Sequence, residues 1–157
     1  MRVRSYKQGD ASDLLVLFFE TIRSVNISDY SQVQVKAWAP DLNDWDMIGW
    51  EKSFQNKFVF VAEENGKLIG FGELEENGHI DRFYIHKDHI GQGVGLKIYE
   101  RIELEARTLK LAKLFVEASI TAKSFFQKRG FEIVREQEVE RKGILLKNYV
   151  MQNKIFN

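Results

Sequence analysis

From Arg2 to Tyr6 polar and apolar residues alternate with the period of two that a half-buried strand requires. Gly9, Asp10 and Ser12 then supply turn and capping residues ahead of Leu14, Leu15, Leu17, Phe18 and Ile22, so a helix follows the strand. A second helical pattern runs from Ser28 to Trp38 and closes at Ala39-Pro40, because proline cannot continue a helix, and Asp44 to Phe54 adds another short one. Phe58 to Glu63 and Leu68 to Leu74 read as strands joined by Asn65-Gly66, two residues that accept positive φ in a tight hairpin. Asn77-Gly78 repeats that signal before His79 to Ile85, which gives a three-stranded antiparallel meander. Ile98, Tyr99, Ile102, Ala106 and Leu109 then recur at helical spacing. Leu114 to Ala118 reads as a strand and Thr121 to Arg129 as a short helix stopped by Gly130. Phe131 to Val139 and Ile144 to Met151 form a last hairpin around Arg141-Lys-Gly143. The order is β-α-α-β-β-β-α-β-α-β-β, a mixed α/β chain with no repeat or linker, and its 157 residues suit a single domain over 1–157.

Between the third meander strand and the following helix lies His89-Ile-Gly-Gln-Gly-Val-Gly95. The first amides of a helix have no intrahelical acceptor and the helix dipole makes them partly positive, so an anion is favoured there. Glycines at 91, 93 and 95 leave out the Cβ atoms that would hold a phosphate away from the backbone. The dinucleotide pattern G-x-G-x-x-G fails, since Leu96 and Ile98 stand where a third glycine is needed. The P-loop pattern also fails, because Gly95 is followed by Leu96-Lys97-Ile98 and not by Lys-Ser/Thr. On these residues alone the loop is either an anion site of another kind or a tight strand-to-helix turn.

Charge and rare residues narrow the chemistry. Lys plus Arg and Asp plus Glu balance at 23 each, so no nucleic-acid or anionic-membrane partner is expected. No apolar run approaches the roughly 20 residues of a membrane span, and Met1 to Tyr6 lacks the apolar centre of a signal peptide, which points to the cytoplasm. Without cysteine there is no disulfide, thiolate metal site or cysteine nucleophile. The three histidines, at 79, 86 and 89, form no i, i+4 pair around a glutamate, and no metal site is expected.

Taken together, the meander, the glycine loop, the helix, the strand, the short helix ending Gly-Phe and the terminal hairpin resemble the GCN5-related N-acetyltransferase superfamily over essentially the whole chain. The family's loop reads Gln/Arg-x-x-Gly-x-Gly/Ala, and Gly93-Val94-Gly95 matches its second half while Ile90 departs at the first position. A second family pattern, Ala-x-x-Phe-Tyr-x-x-x-Gly-Phe, is matched by Ala122 to Phe131 with Phe126 in place of the tyrosine. The resemblance implies a central, mostly antiparallel sheet of six to seven strands flanked by about four helices, with a splayed strand pair that binds the cofactor. It implies acetyl transfer from acetyl-CoA to a primary amine of a small molecule or peptide, by direct attack and without an acyl-enzyme, in a monomer or homodimer. The pyrophosphate would lie on Ile90, Gly91, Gln92, Gly93, Val94, Gly95 and Leu96, and the pantetheine arm along Phe83, Tyr84 and Ile85, with Ser119 and Phe126 beside it.

By the same resemblance the general base falls at His79 or, two residues on, at Asp81; the competing reading has Asp81 pairing with Arg82 or another surface cation and His79 closing the Asn77-Gly78 turn. Phe126 has no proton to give a departing thiolate, which leaves water, Tyr84 or Tyr149. Trp38 and Trp45, with Trp50 and Asp29, Asp41, Asp44 and Asp46 nearby in sequence, are expected to receive the acceptor, aromatic walls and carboxylates suiting a cationic or aromatic amine. The departures at Ile90, Ser119 and Phe126 keep two other functions open: an acyl-CoA-binding module with little turnover, or a transferase for a larger acyl-CoA.

Overall fold

The computed structural model describes residues 1–156, in which one seven-stranded sheet is flanked by helices on both faces. In chain order the elements are β1 (Arg2–Ser5), α1 (Ala11–Ser24), α2 (Gln32–Trp38), α3 (Met47–Lys52), β2 (Phe58–Glu64), β3 (Lys67–Leu74), β4 (His79–Ile85), α4 (Val94–Thr108), β5 (Lys113–Ser119), α5 (Lys123–Lys128), β6 (Glu132–Arg141) and β7 (Ile144–Lys154). The sheet order is β1-β2-β3-β4-β5-β7-β6, and every neighbouring pair is antiparallel except β4 and β5.

Local chemistry accounts for most boundaries. Asn65 and Gly66 both take positive φ, as do Lys142 and Gly143, so both tight hairpins twist with their strands. The second helix begins at Gln32 and not at Ser28, because Ser31 accepts from the Gln34 amide while the Gln34 side chain accepts from the Ser31 amide. Residues Asn26–Ser28 form only a 3-10 turn, and the short segment after Pro40 supplies a fifth helix, α3, capped by Asp46.

Two apolar cores sit on opposite faces of the sheet. Ile98, Tyr99 and Ile102 of α4 and Phe126 of α5 pack with Leu114, Val116 and Met151 on one face. Leu14, Phe18 and Ile22 of α1 pack with Trp50, Phe54 and Phe71 on the other. No helix is long and apolar enough to cross a membrane among the described residues.

Candidate active site

The parallel pair β4 and β5 is joined by only two residue pairs, His79 with Phe115 and Ile80 with Val116. Beyond them β4 stays on β3 as far as Ile85 and β5 stays on β7 as far as Ser119, so a wedge opens between the two strands. Two cavities meet along this wedge, one of about 330 Å³ and one of about 490 Å³, and both are lined by Phe83, Tyr84, Ser119 and Ala122.

The larger cavity carries the glycine loop. Ile85, Ile90, Gly91, Gly93, Val94, Gly95 and Leu96 line it, with Lys128 and Arg129 of the α5 end as its cations. Gly93 sits at φ +82° just before α4, and a Cβ there would meet nothing within 4 Å, so the loop needs glycine for its backbone conformation and leaves open space beside it. The first i→i−4 bond of α4 runs from the Lys97 amide to the Gly93 carbonyl, so the preceding amides have no partner within the helix. Gly95 has a different reason to be glycine. A Cβ there would stand 3.0 Å from Phe125 Cε1, so it lets α4 approach α5. Gln92 does not line the cavity; its side chain donates to the Asp88 carbonyl.

The smaller cavity is aromatic and charged. Phe18, Tyr30, Trp38, Trp45 and Trp50 form its walls with Asp81, Arg82, Glu117, Arg141, Lys147 and Asn148. Trp45 meets Trp50 edge-on at 5.8 Å between ring centroids, and Trp38 does the same with Tyr30 at 5.3 Å. The aspartates near the tryptophans in sequence do not join them. Asp46 caps α3, Asp41 pairs with Arg23, Asp29 accepts from Thr121, and none of these, nor Asp44, lines the cavity. They serve the local backbone and surface, as short acids beside helix starts often do.

One irregularity places two adjacent side chains in this cavity. Between the pairs Gly72–Phe83 and Leu74–Ile80, the single residue Glu73 of β3 faces both Asp81 and Arg82 of β4. Such a bulge breaks the alternation that would send neighbours to opposite faces. Glu73 is fully buried, and Arg82 binds it in two places, Nε to Oε1 at 2.6 Å and Nη2 to Oε2 at 2.7 Å. The guanidinium lies over Trp50 and Phe54, 4.3 and 4.7 Å from their ring centres, and Nη2 also donates to Ser53 Oγ at 2.7 Å. Lys57 stands 3.7 Å from Glu73 and donates to Asp81 at 2.7 Å. Burial pushes the Asp81 carboxyl upward, but the hydrogen bond and charge of Lys57, with Arg82 and His79 behind them, hold it below the usual carboxylate range.

His79 lines neither cavity. Its ring lies against Phe115 and between two carboxylates, with Nδ1 on Glu75 and Nε2 3.2 Å from Glu117. Phe126 is 1% exposed and touches only the smaller cavity, wedged among Phe83, Phe125 and Phe131. Tyr84 lines both cavities, and burial pushes its hydroxyl well above the ordinary tyrosine range, against the Trp38 side chain and the Arg82 charge. Tyr149 lines neither and carries Lys123 over its ring. No cluster of side chains fit to hold a metal ion occurs among the described residues.

Glu73 and Lys57 were not expected from sequence, and Arg82, expected as a surface partner of Asp81, binds Glu73 while Lys57 takes Asp81. The available signal was Glu73 itself, an acid inside an otherwise apolar central strand, which has to find a buried cation.

Residues 26–153 match the family model for the acetyltransferase (GNAT) domain. The chain is 30% identical to the N-acetyltransferase YafP of Escherichia coli K12, named as uncharacterized, over 98% of this chain and 96% of that protein. A GCN5-related N-acetyltransferase from Rhodopseudomonas palustris superposes with a TM-score of 0.92 at 29% identity, covering 98% of this chain and 95% of that one. The putative acetyltransferase yncA of Salmonella typhimurium, solved with its cofactor acetyl-CoA, has the same fold, with a TM-score of 0.70 at 17% identity over 100% and 95% of the two chains.

Proposed function

The chain belongs to the GNAT acetyltransferase family and is an acetyl-CoA-dependent acyltransferase, and on that premise we propose that it acetylates a primary amine held in the aromatic cavity. The observation that carries this reading is the meeting of two unlike cavities at the β4–β5 wedge, one bearing the glycine loop with its open amides and the other a carboxylate.

The residues present fit acetyl-CoA. The open amides at the start of α4, with Lys128 and Arg129 nearby, suit its pyrophosphate, and Ile90 and Leu96 offer apolar edges to the chain beyond it. The unpaired edge of β4 at Phe83, Tyr84 and Ile85 suits the pantetheine arm, as an extended ligand can take the place of a missing strand. Acetyl-CoA brings an activated acyl group, and the wedge would direct it toward the smaller cavity. Asp81, kept ionised by Lys57, takes one proton from the substrate ammonium, directly or through water, so that the nitrogen lone pair is free to attack. The new C–N bond forms as the C–S bond breaks, the second proton lost from the nitrogen passes through water to the sulfur, and the thiol leaves beside Tyr84 and Ser119, the two hydroxyl side chains that line both cavities. His79, turned toward Glu75 and Glu117, acts only through the local charge it adds beside Asp81.

The test is thiol release from acetyl-CoA with a panel of primary amines, in the wild type and in Asp81→Asn. Asp81→Asn is expected to bind acetyl-CoA unchanged by calorimetry and to lose turnover by about 10²- to 10⁴-fold, the usual contribution of a general base. Binding of acetyl-CoA with no thiol release from any amine would overturn the proposal.

A further inference from the structure

The hydrogen-bonding positions of the acceptor cavity are unevenly filled. Each of its carboxylates already has a basic partner on one oxygen, Asp81 in Lys57 and Glu117 in His79, so neither offers an uncompensated charge to a permanent ammonium. The donors are not used up. Arg82 spends Nε and Nη2 on Glu73 and Ser53, while Nη1 has no hydrogen-bond partner among the described residues and is not sealed from solvent. Glu73, Trp50 and Phe54 fix the guanidinium plane, so this free edge is a rigid donor on the cavity wall.

Asn148 is the second unfilled position. Its Oδ1 is buried without a partner, its Nδ2 makes no hydrogen bond to the described residues, and the residue lines the same cavity opposite Ser119. A half-turn of the amide exchanges the two ends, so Asn148 can offer either a donor or an acceptor to a ligand. Around these two groups the walls are the rings of Phe18, Trp38, Trp45 and Trp50.

We infer that the acceptor is an amine carrying a carbonyl or carboxylate oxygen close to its nitrogen and an aromatic or bulky apolar body, with Arg82 Nη1 reading the oxygen and Asn148 supplying a second polar contact. This rests on the amine-acetylating reading above and narrows it. An amine without such an oxygen leaves the Arg82 edge unpaired inside a desolvated pocket, and a site built for a hydrogen bond discriminates strongly against a ligand that lacks it. The oxygen has two sources, a free amino acid or the first residue of a peptide, and they differ in charge. Arg82 is neutralised from behind by Glu73, so the hydrogen bond, and not net charge, is the shared requirement.

The experiment compares kcat/KM for tryptophan, tryptophan amide and tryptamine, and for phenylalanine, phenylalanine amide and phenethylamine, using acetyl-CoA as donor. The oxygen-bearing member is expected to exceed the bare amine by about tenfold or more in each series. Free acid above amide assigns the amino acid, and amide above acid assigns the peptide terminus. Arg82→Met combined with Glu73→Gln, which leaves no buried charge alone, should bring that ratio close to one by raising KM for the oxygen-bearing acceptors. Asn148→Leu breaks no protein hydrogen bond and should raise KM for every accepted amine with acetyl-CoA affinity unchanged. Equal efficiency for the oxygen-bearing and bare amines in the wild type overturns the inference while leaving amine acetylation intact, whether or not the double variant folds. An unchanged ratio in a folded double variant, or an unchanged KM in Asn148→Leu, overturns it also. Acetyl-CoA binding without transfer to any amine removes the parent reading and this one together.

Discussion

Arg82→Met is the sharpest test of how the acceptor wall is held. The substitution keeps an unbranched side chain over Trp50 and Phe54 but deletes both charged hydrogen bonds to Glu73, at 2.6 and 2.7 Å, and the one to Ser53. Glu73 then stays fully buried with Lys57 at 3.7 Å as its remaining cation. Removing one member of a buried pair costs about 3–5 kcal/mol, because the survivor keeps its desolvation penalty and loses its compensation. For a chain of this size each kcal/mol lowers the melting temperature by about 2–4 °C, so a fall of roughly 6–20 °C is expected. Glu73→Gln alone should cost less, about 1–3 kcal/mol, since Lys57 retains Asp81 and Arg82 retains Ser53 and its two rings. The double variant should lose much less than the sum of the two single losses, with a coupling of about 2 kcal/mol or more. Urea titrations followed by tryptophan fluorescence, with Trp50 directly beneath the guanidinium, measure all three differences. A loss below about 1 kcal/mol for Arg82→Met, or strict additivity in the double variant, would refute the reasoning, since it would mean that Glu73 finds water or another partner easily.

Three further outcomes follow from the same geometry. Gly93→Asp should reduce acetyl-CoA affinity by at least about tenfold while the fold persists, because the added carboxylate competes for the amides at the start of α4; calorimetry reads this, and an unchanged Kd would place the phosphates elsewhere. Lys57→Met should raise the Asp81 carboxyl, moving the acid limb of the kcat/KM profile to higher pH. In the folded wild type that carboxyl lies below its unfolded value, so its stabilisation is present above the unfolded value and lost as pH falls through the folded one. The variant should therefore show less acid-dependent loss of stability, and an unmoved limb would exclude Asp81 as the titrating base. Tyr30→Phe should cost about 1–3 kcal/mol in denaturant titrations, because the hydroxyl accepts from the Ile120 amide at 2.9 Å and donates to the Lys147 carbonyl at 2.6 Å, tying the end of β5 to β7; a neutral substitution would show that water fills both bonds.

The fold was largely legible because periodicity and turn chemistry are local. Asn65-Gly66 and Gly143 marked their hairpins through positive φ, and the run from His79 to Ile85 coincides with β4. The glycine loop was legible for the same reason, although Gly95 owes its identity to Phe125, thirty positions away, and Gln92 turns out to brace Asp88. The start of α2 was misplaced by four residues because the capping box at Ser31 and Gln34 competes with a longer apolar pattern. The acceptor wall was legible only in part. Trp38 and Trp45 line the cavity, but the neighbouring aspartates do not, since nearness in sequence says nothing about which face of a short helix a residue takes. Arg82 could not be placed from strand alternation, because alternation fails at the bulge opposite Glu73. That displacement depends on pairing between strands, which no single segment of sequence contains.

The wedge between β4 and β5 also sorts the elements of the molecule by the cavity they line. The glycine loop and the start of α4 line only the larger cavity, α2, α3, β6 and β7 line only the smaller one, α1, the α1–α2 connection, β4 and α5 give residues to each, and the shared wall comprises Phe83, Tyr84, Ser119 and Ala122. On the proposed reading, substitutions in the β6–β7 hairpin or around α2 and α3 should reshape acceptor recognition and leave the proposed donor loop in place. On that reading what is modified can be changed one hairpin at a time while the source of acyl groups stays the same.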